Sequence, residues 1–160
     1  MKKTRKSNKV RERCSGTMTE AEFTSFVDKS LRAAFTKWGP KFEAIKLSRR
    51  GDKHECAGCS CLKPYQERDG FGGKKINNFH VDHIYPVSPL TGLNDWNTKV
   101  EGMFVEVEDF QVLCLECHAE KTKMENELRR KFKKSLDYDP GLTYYVYIDN
   151  GKPELKTKVK

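Results

Sequence analysis

The sequence predicts a single α+β domain stapled by a metal site, and three observations carry that prediction. Two Cys-x-x-Cys pairs, Cys56/Cys59 and Cys114/Cys117, bracket the middle of the chain. Apolar residues recur at helical spacing on either side of it. Asn150-Gly151 then separates two β-rich runs, the strongest short signal for a hairpin.

At 160 residues the length suits about one domain. With 34% charged residues and a mean hydropathy of −0.80, the expected core is small. No apolar run reaches the ~18 residues of a membrane span, so a membrane protein is not expected. The basic N-terminus is followed by no apolar stretch of secretory type, which makes the cytoplasm the expected compartment.

The first element expected is a helix. Thr19 and Glu22 have the spacing of a capping box, and Phe23, Phe26, Val27, Leu31, Ala34, Phe35 and Trp38 follow at helical intervals. Gly39-Pro40 should break it and open a second short helix reaching Leu47. Residues 48–78 read as loop with short strands, and 78–84 as a strand ending before Tyr85-Pro86. Leu93, Trp96, Val100, Met103 and Phe104 suggest a short amphipathic helix. A long helix is expected from Leu115 to Leu136, with Glu125/Arg129 and Glu127/Lys131 as favourable i,i+4 pairs. The chain should close with a hairpin over Leu142–Ile148 and Pro153–Val159. This divides it into a basic flexible arm (1–16), a helical extension (17–48), a core (49–136) and a hairpin with a basic end (137–160).

The net charge is +8, and its location is informative. Residues 1–13 hold seven Lys/Arg against Glu12, and residues 152–160 hold four Lys against Glu154, so the span between is close to neutral. Basic ends of this kind suit a polyanion, because each cation that neutralises a phosphate releases a counterion. A solubilising tail is the alternative.

Six cysteines occur, at 14, 56, 59, 61, 114 and 117. In a reducing compartment disulfides are disfavoured, and the two matched pairs have the spacing of a structural four-cysteine zinc site. A thioredoxin-type motif is the competing reading of one pair alone. Cys61 competes with Cys59 as a ligand, and Cys14 is expected to be a free thiol. The 54 residues between the pairs must fold inside the clip. They carry Asp82-His83, and His118 directly follows Cys117, so metal binding at Cys117 would fix where His118 points. Asp82 and His83, adjacent on a strand, project to opposite faces. One carboxylate then holds a hard cation while the neighbouring imidazole acts as a base.

Three strings together resemble the HNH endonuclease family, in particular its small zinc-clipped phage members. They are His54-Glu55-Cys56-Ala57-Gly58-Cys59, Val81-Asp82-His83-Ile84-Tyr85-Pro86-Val87 and Asp109 to Thr122 (DFQVLCLECHAEKT). The resemblance spans roughly Arg49 to Glu125. It implies a ββα-metal, treble-clef-like core stapled by zinc on Cys56, Cys59, Cys114 and Cys117. The N-terminal helices and the C-terminal hairpin lie outside it.

By this resemblance His83 is the general base that activates water. Asp82 and His118 hold a catalytic divalent ion, Mg2+ or Mn2+, and the products are 5′-phosphate and 3′-hydroxyl ends. The family's middle asparagine falls on Asp109, which keeps an acceptor oxygen, loses the amide donor and adds a charge. Lys121 is a candidate phosphate contact, with a salt bridge as the alternative. His80 shares a strand face with Asp82 and either lines the cleft or is solvated. Double-stranded DNA is the expected substrate. A catalytically inactive zinc-ribbon DNA-binding module, or an accessory protein of phage packaging beside a terminase-like partner, is the competing function.

Overall fold

Thr19 is the N-cap of the first helix, α1 (Glu20–Phe35). Its hydroxyl accepts from the Glu22 N–H at 3.2 Å, while the Thr19 N–H donates to Glu22 Oε2 at 2.8 Å, which is the reciprocal box expected at that spacing. The structure is a computed structural model that describes residues 10–70, 72–92, 95–135 and 138–159. The basic segment 1–9, Leu93, the expected helix end at Leu136 and Lys160 lie outside the described residues. Two units are distinguished, Met1–Lys37 and Trp38–Lys160.

In the first unit Arg13 and Met18 pair their backbones across a tight turn. Arg13 Nε also donates to Glu20 Oε2 at 2.6 Å.

The second unit begins one residue before the break. The apolar stripe places Trp38 on the first helix, but α1 ends at Phe35 and Trp38 is the extended N-cap of α2 (Gly39–Leu47). Pro40 belongs in the first turn of a helix, where its missing N–H costs nothing. Trp38 packs edge-on to Phe104 with ring centroids 5.3 Å apart, and its indole N–H donates to the Val105 carbonyl at 2.7 Å.

Short antiparallel strands follow. β1 (Arg49–Arg50), β2 (Lys53–Glu55) and β3 (Leu62–Lys63) form one sheet, and β4 (Gln66–Arg68) pairs with β5 (Lys75–Asn77). β6 (Phe79–His83) is followed by α3 (Trp96–Met103), whose N-cap Asp95 accepts from the Thr98 N–H at 2.9 Å. β7 (Phe110–Cys114) then pairs antiparallel with β6, Phe79 opposite Cys114, Asp82 opposite Gln111 and His83 opposite Phe110. α4 (Leu115–Ser135) leaves the end of β7 without a loop and packs on both strands.

The chain closes with β8 (Leu142–Asp149) and β9 (Lys152–Val159). Asn150 and Gly151 both have positive φ, 47° and 77°, as a two-residue type I′ turn requires. α4 lies against this hairpin through a core of Leu90, Phe132 and Val146, supported by Met124, Leu128, Tyr138 and Tyr144. Among the described residues no helix is long and apolar enough to cross a membrane.

Candidate metal centre and active site

The cysteine cluster is assembled by backbone hydrogen bonds at the end of β2. The Cys56 N–H donates to the Cys61 carbonyl at 3.0 Å and the Ser60 N–H to the Cys56 carbonyl at 2.9 Å, curling residues 56–61 into a knuckle. The Ala57 N–H donates to the Val112 carbonyl at 2.9 Å, which ties the knuckle to β7 and delivers Cys114. The sulfur atoms of Cys56, Cys59, Cys61 and Cys114 all lie within 4.8 Å of one another. Cys59 Sγ and Cys114 Sγ are 3.8 Å apart, matching the ~3.8 Å edge of a tetrahedron with zinc–sulfur bonds of about 2.3 Å. Cys56 Sγ accepts N–H bonds from Cys114 at 3.2 Å and Gly58 at 3.4 Å, the contacts that stabilise a bound thiolate. Among the described residues no other group of three or more His, Cys, Asp or Glu side chains is drawn so close.

The set that comes together is larger than the four cysteines expected. Cys61 joins Cys56, Cys59 and Cys114, while buried Cys117 makes sulfur contacts with Cys114, Cys59 and Cys56. Five sulfurs therefore surround one centre. Burial pushes Cys117 up to about 12 and Cys61 up to about 11, Cys59 adding to the rise of Cys61. For Cys59 burial acts upward too, but hydrogen bonds with Cys61, Cys117 and Cys56 outweigh it and bring the thiol down to about 7. A divalent cation supplies the charge that converts such thiols to thiolates. Cys14 is exposed.

The knuckle also anchors the hairpin. The Gly151 N–H donates to the Gly58 carbonyl at 2.9 Å. A Cβ on Gly58 would stand 2.6 Å from Ile148 Cγ2 and 3.2 Å from Cys117 Sγ, so only glycine fits there.

Strand alternation sorts the residues of β6 onto two faces. Phe79, fully buried, Val81 and His83 share one face, and His80 and Asp82 share the other, toward α4. Lys121 of α4 is only 2% exposed, and its ammonium is 2.5 Å from Asp82 Oδ2, 2.6 Å from the His83 carbonyl and 3.4 Å from Glu125 Oε1. Of the two readings of Lys121, the salt bridge is the one present. Gln111 Nε2 adds a donor to Asp82 Oδ2 at 3.3 Å. His118, one turn above Lys121, stacks on His80 with ring centroids 4.7 Å apart and planes 26° apart. Burial lowers the pKa of His80, the charge of His118 lowers it further, and Asp82 opposes both.

His83 is half-buried at the end of β6, its ring 4.8 Å from that of Phe110. Its Nε2 is 3.0 Å from the Met103 carbonyl oxygen. A carbonyl can only accept, so Nε2 carries the proton and Nδ1 is the basic nitrogen of the neutral ring. Burial pushes the His83 pKa below the ordinary histidine range, while the Met103 carbonyl, Asp82 and Asp109 pull it back up. Asp109 precedes β7, and its carbonyl accepts from the Ile84 N–H at 2.8 Å, which closes the strand pair beside His83. His54 bonds to Ser48 through Nδ1 at 2.9 Å, in keeping with a structural role.

Gln111, Glu125 and the place of Cys61 in the cluster escaped sequence reasoning. A glutamine in an apolar strand run, and the Lys121/Glu125 spacing of four, were the signals available for the first two.

Comparison with known proteins adds no relative: no family model, no curated protein and no solved structure matches this chain.

Proposed function

We propose that this protein is a metal-dependent endonuclease of the HNH type that nicks DNA, leaving 5′-phosphate and 3′-hydroxyl ends. The observation that carries the reading is the arrangement of β6, β7 and α4. Two antiparallel strands followed directly by a helix bring Asp82 and His118 to one face and set His83 at the strand end next to Asp82. The cysteine knuckle grips the start of that helix.

The cysteine cluster suits a structural zinc, which in a chain this hydrophilic contributes folding energy outright. Asp82 and His118 would hold the catalytic divalent ion. That ion, when bound, supplies charge to the phosphate oxygens and the leaving 3′-oxygen, where negative charge grows.

His83 Nδ1 accepts a proton from the water that attacks phosphorus, and the bond to the 3′-oxygen breaks. Its lowered pKa keeps the neutral, basic form available at neutral pH. The Met103 carbonyl holds the required tautomer. Asp109 raises the basicity of that ring through its field, in place of an amide that would orient it. Lys121 fixes the Asp82 carboxylate without entering the chemistry. Double-stranded DNA is the proposed substrate, held through the net positive charge and the exposed lysines of β9.

The second reading is a zinc-stapled DNA-binding module without catalysis. It is favoured by the Lys121 ammonium, which already neutralises Asp82 with no cation present.

Supercoiled-plasmid cleavage with Mg2+, Mn2+ or EDTA tests the proposal, comparing the wild type with His83→Ala at equal zinc content. Metal-dependent nicking, lost in a folded His83→Ala, supports the nuclease. Salt-sensitive DNA binding without nicking under any of these metals favours the binding module.

A further inference from the structure

The face that β6 turns toward α4 holds one more donor than the nuclease reading uses. His80 and Asp82 stand two residues apart on the strand, an advance of about 6.6 Å, and His118 and Lys121 stand three apart on the helix, an advance of about 4.5 Å. The two spacings run side by side, so His118 meets His80 while Lys121 meets Asp82. Lys121 occupies only Oδ2 of that carboxylate. Among the described residues Asp82 Oδ1 receives no hydrogen bond, and neither do the ring nitrogens of His80 and His118. His54 and His83, by contrast, each engage a ring nitrogen.

Two stacked imidazoles with unengaged nitrogens, beside a carboxylate with an unengaged oxygen, make a two-histidine, one-carboxylate donor set. The loop and strand on the other side of β6 contribute none of it, because His83 points to the opposite face.

We propose that His80 is the third protein ligand of the divalent cation held by Asp82 and His118. This rests on the nuclease reading of those two residues and goes beyond it by naming the class of ion. Imidazole donors favour borderline first-row ions, whereas Mg2+ favours oxygen-only shells. The site therefore selects Mn2+, Co2+ or Ni2+ over Mg2+. The stacked rings turn a nitrogen each toward the ion from two different elements, β6 and α4, and so lock the helix start onto the strand when the ion binds.

The test is Mn2+ binding to the full-length, zinc-loaded chain, by calorimetry and by pulsed EPR of the bound ion. Mn2+ is the probe because it is the weakest competitor for the thiolate cluster. The wild type should bind one Mn2+ with hyperfine coupling to two histidine nitrogens. His80→Ala and His80→Asn, checked for unchanged zinc content and circular dichroism, should bind it at least tenfold more weakly and show one coupled nitrogen. Unchanged affinity and two couplings in both His80 variants, with binding lost in Asp82→Asn, overturns the role of His80 and leaves the nuclease reading standing. Mn2+ binding that survives both Asp82→Asn and His118→Ala, or a wild type that takes up no Mn2+, overturns the two together.

Discussion

Lys121 and Asp82, 39 positions apart in the chain, form the shortest polar link between α4 and β6: the ammonium lies 2.5 Å from Asp82 Oδ2. Glu125 stands 3.4 Å away on the same ammonium, and the His83 carbonyl accepts from it as well. The pair therefore ties the helix that carries His118 to the strand that carries the candidate base. Breaking a buried pair by removing one partner leaves an uncompensated charge and costs roughly 3–5 kcal/mol. Lys121→Met should therefore lower the unfolding free energy by about that amount in urea titration. A loss below about 1 kcal/mol would mean that the ammonium contributes no more than a surface ion pair does.

His83 links pH to both stability and rate. Its pKa is lowered in the folded protein, chiefly by burial, so the unfolded chain binds more protons near the ordinary value of about 6.5. The stability contributed by the neutral ring is present above that value and lost as pH falls through it toward the folded pKa. Denaturation midpoints should drop between pH 7.5 and pH 5 by less in His83→Gln than in the wild type.

Asp109 acts in the opposite direction, pulling the His83 pKa up. Asp109→Asn removes that field, so the acidic limb of the nicking-rate profile should move to lower pH. An unmoved limb would show that the profile reports a different group.

Five sulfurs around one centre give the cluster a spare donor. Cys56→Ser removes the sulfur that accepts two backbone N–H groups and should abolish stoichiometric zinc. Cys61→Ser and Cys117→Ser should each retain one zinc per chain, because four sulfurs remain, and the double variant should lose it. Zinc content after dialysis against a weak chelator reads all four outcomes. Stripping the metal from the wild type should unfold the second unit, seen as loss of near-ultraviolet dichroism.

Gly58→Ala places a methyl 2.6 Å from Ile148 Cγ2, on a side chain that is 1% exposed. Overpacking of this kind costs about 1–3 kcal/mol. Ile148→Ala in the same chain should recover part of that loss, giving a non-additive double-mutant cycle. Additive losses would mean that the knuckle and the hairpin do not press on each other.

Local signals in the sequence were enough for the elements that local physics forms. The Thr19/Glu22 spacing marks the start of α1, Asn150-Gly151 marks the β8–β9 turn, and the apolar period marks α4, each within a residue or two. The two Cys-x-x-Cys pairs announced a metal cluster for the same reason, since ligand spacing is a property of a few consecutive residues.

What the sequence left open was decided by contacts between distant segments. β7 is a buried run of five residues, FQVLC, with no alternation to separate strand from helix. Its existence and register follow from pairing with β6, and that register alone sets Gln111 opposite Asp82. Trp38 left the first helix because Pro40 opens the next one and Phe104 and Val105 receive its ring. Cys61 entered the cluster because the 56–61 knuckle curls back on itself through the Cys56 N–H, and Lys121 turned inward because a buried carboxylate waited on β6. Sequence spacing along one element is carried by backbone geometry. Which face of that element meets which residue of another depends on packing and charge pairing across the fold, and only the tertiary structure supplies it.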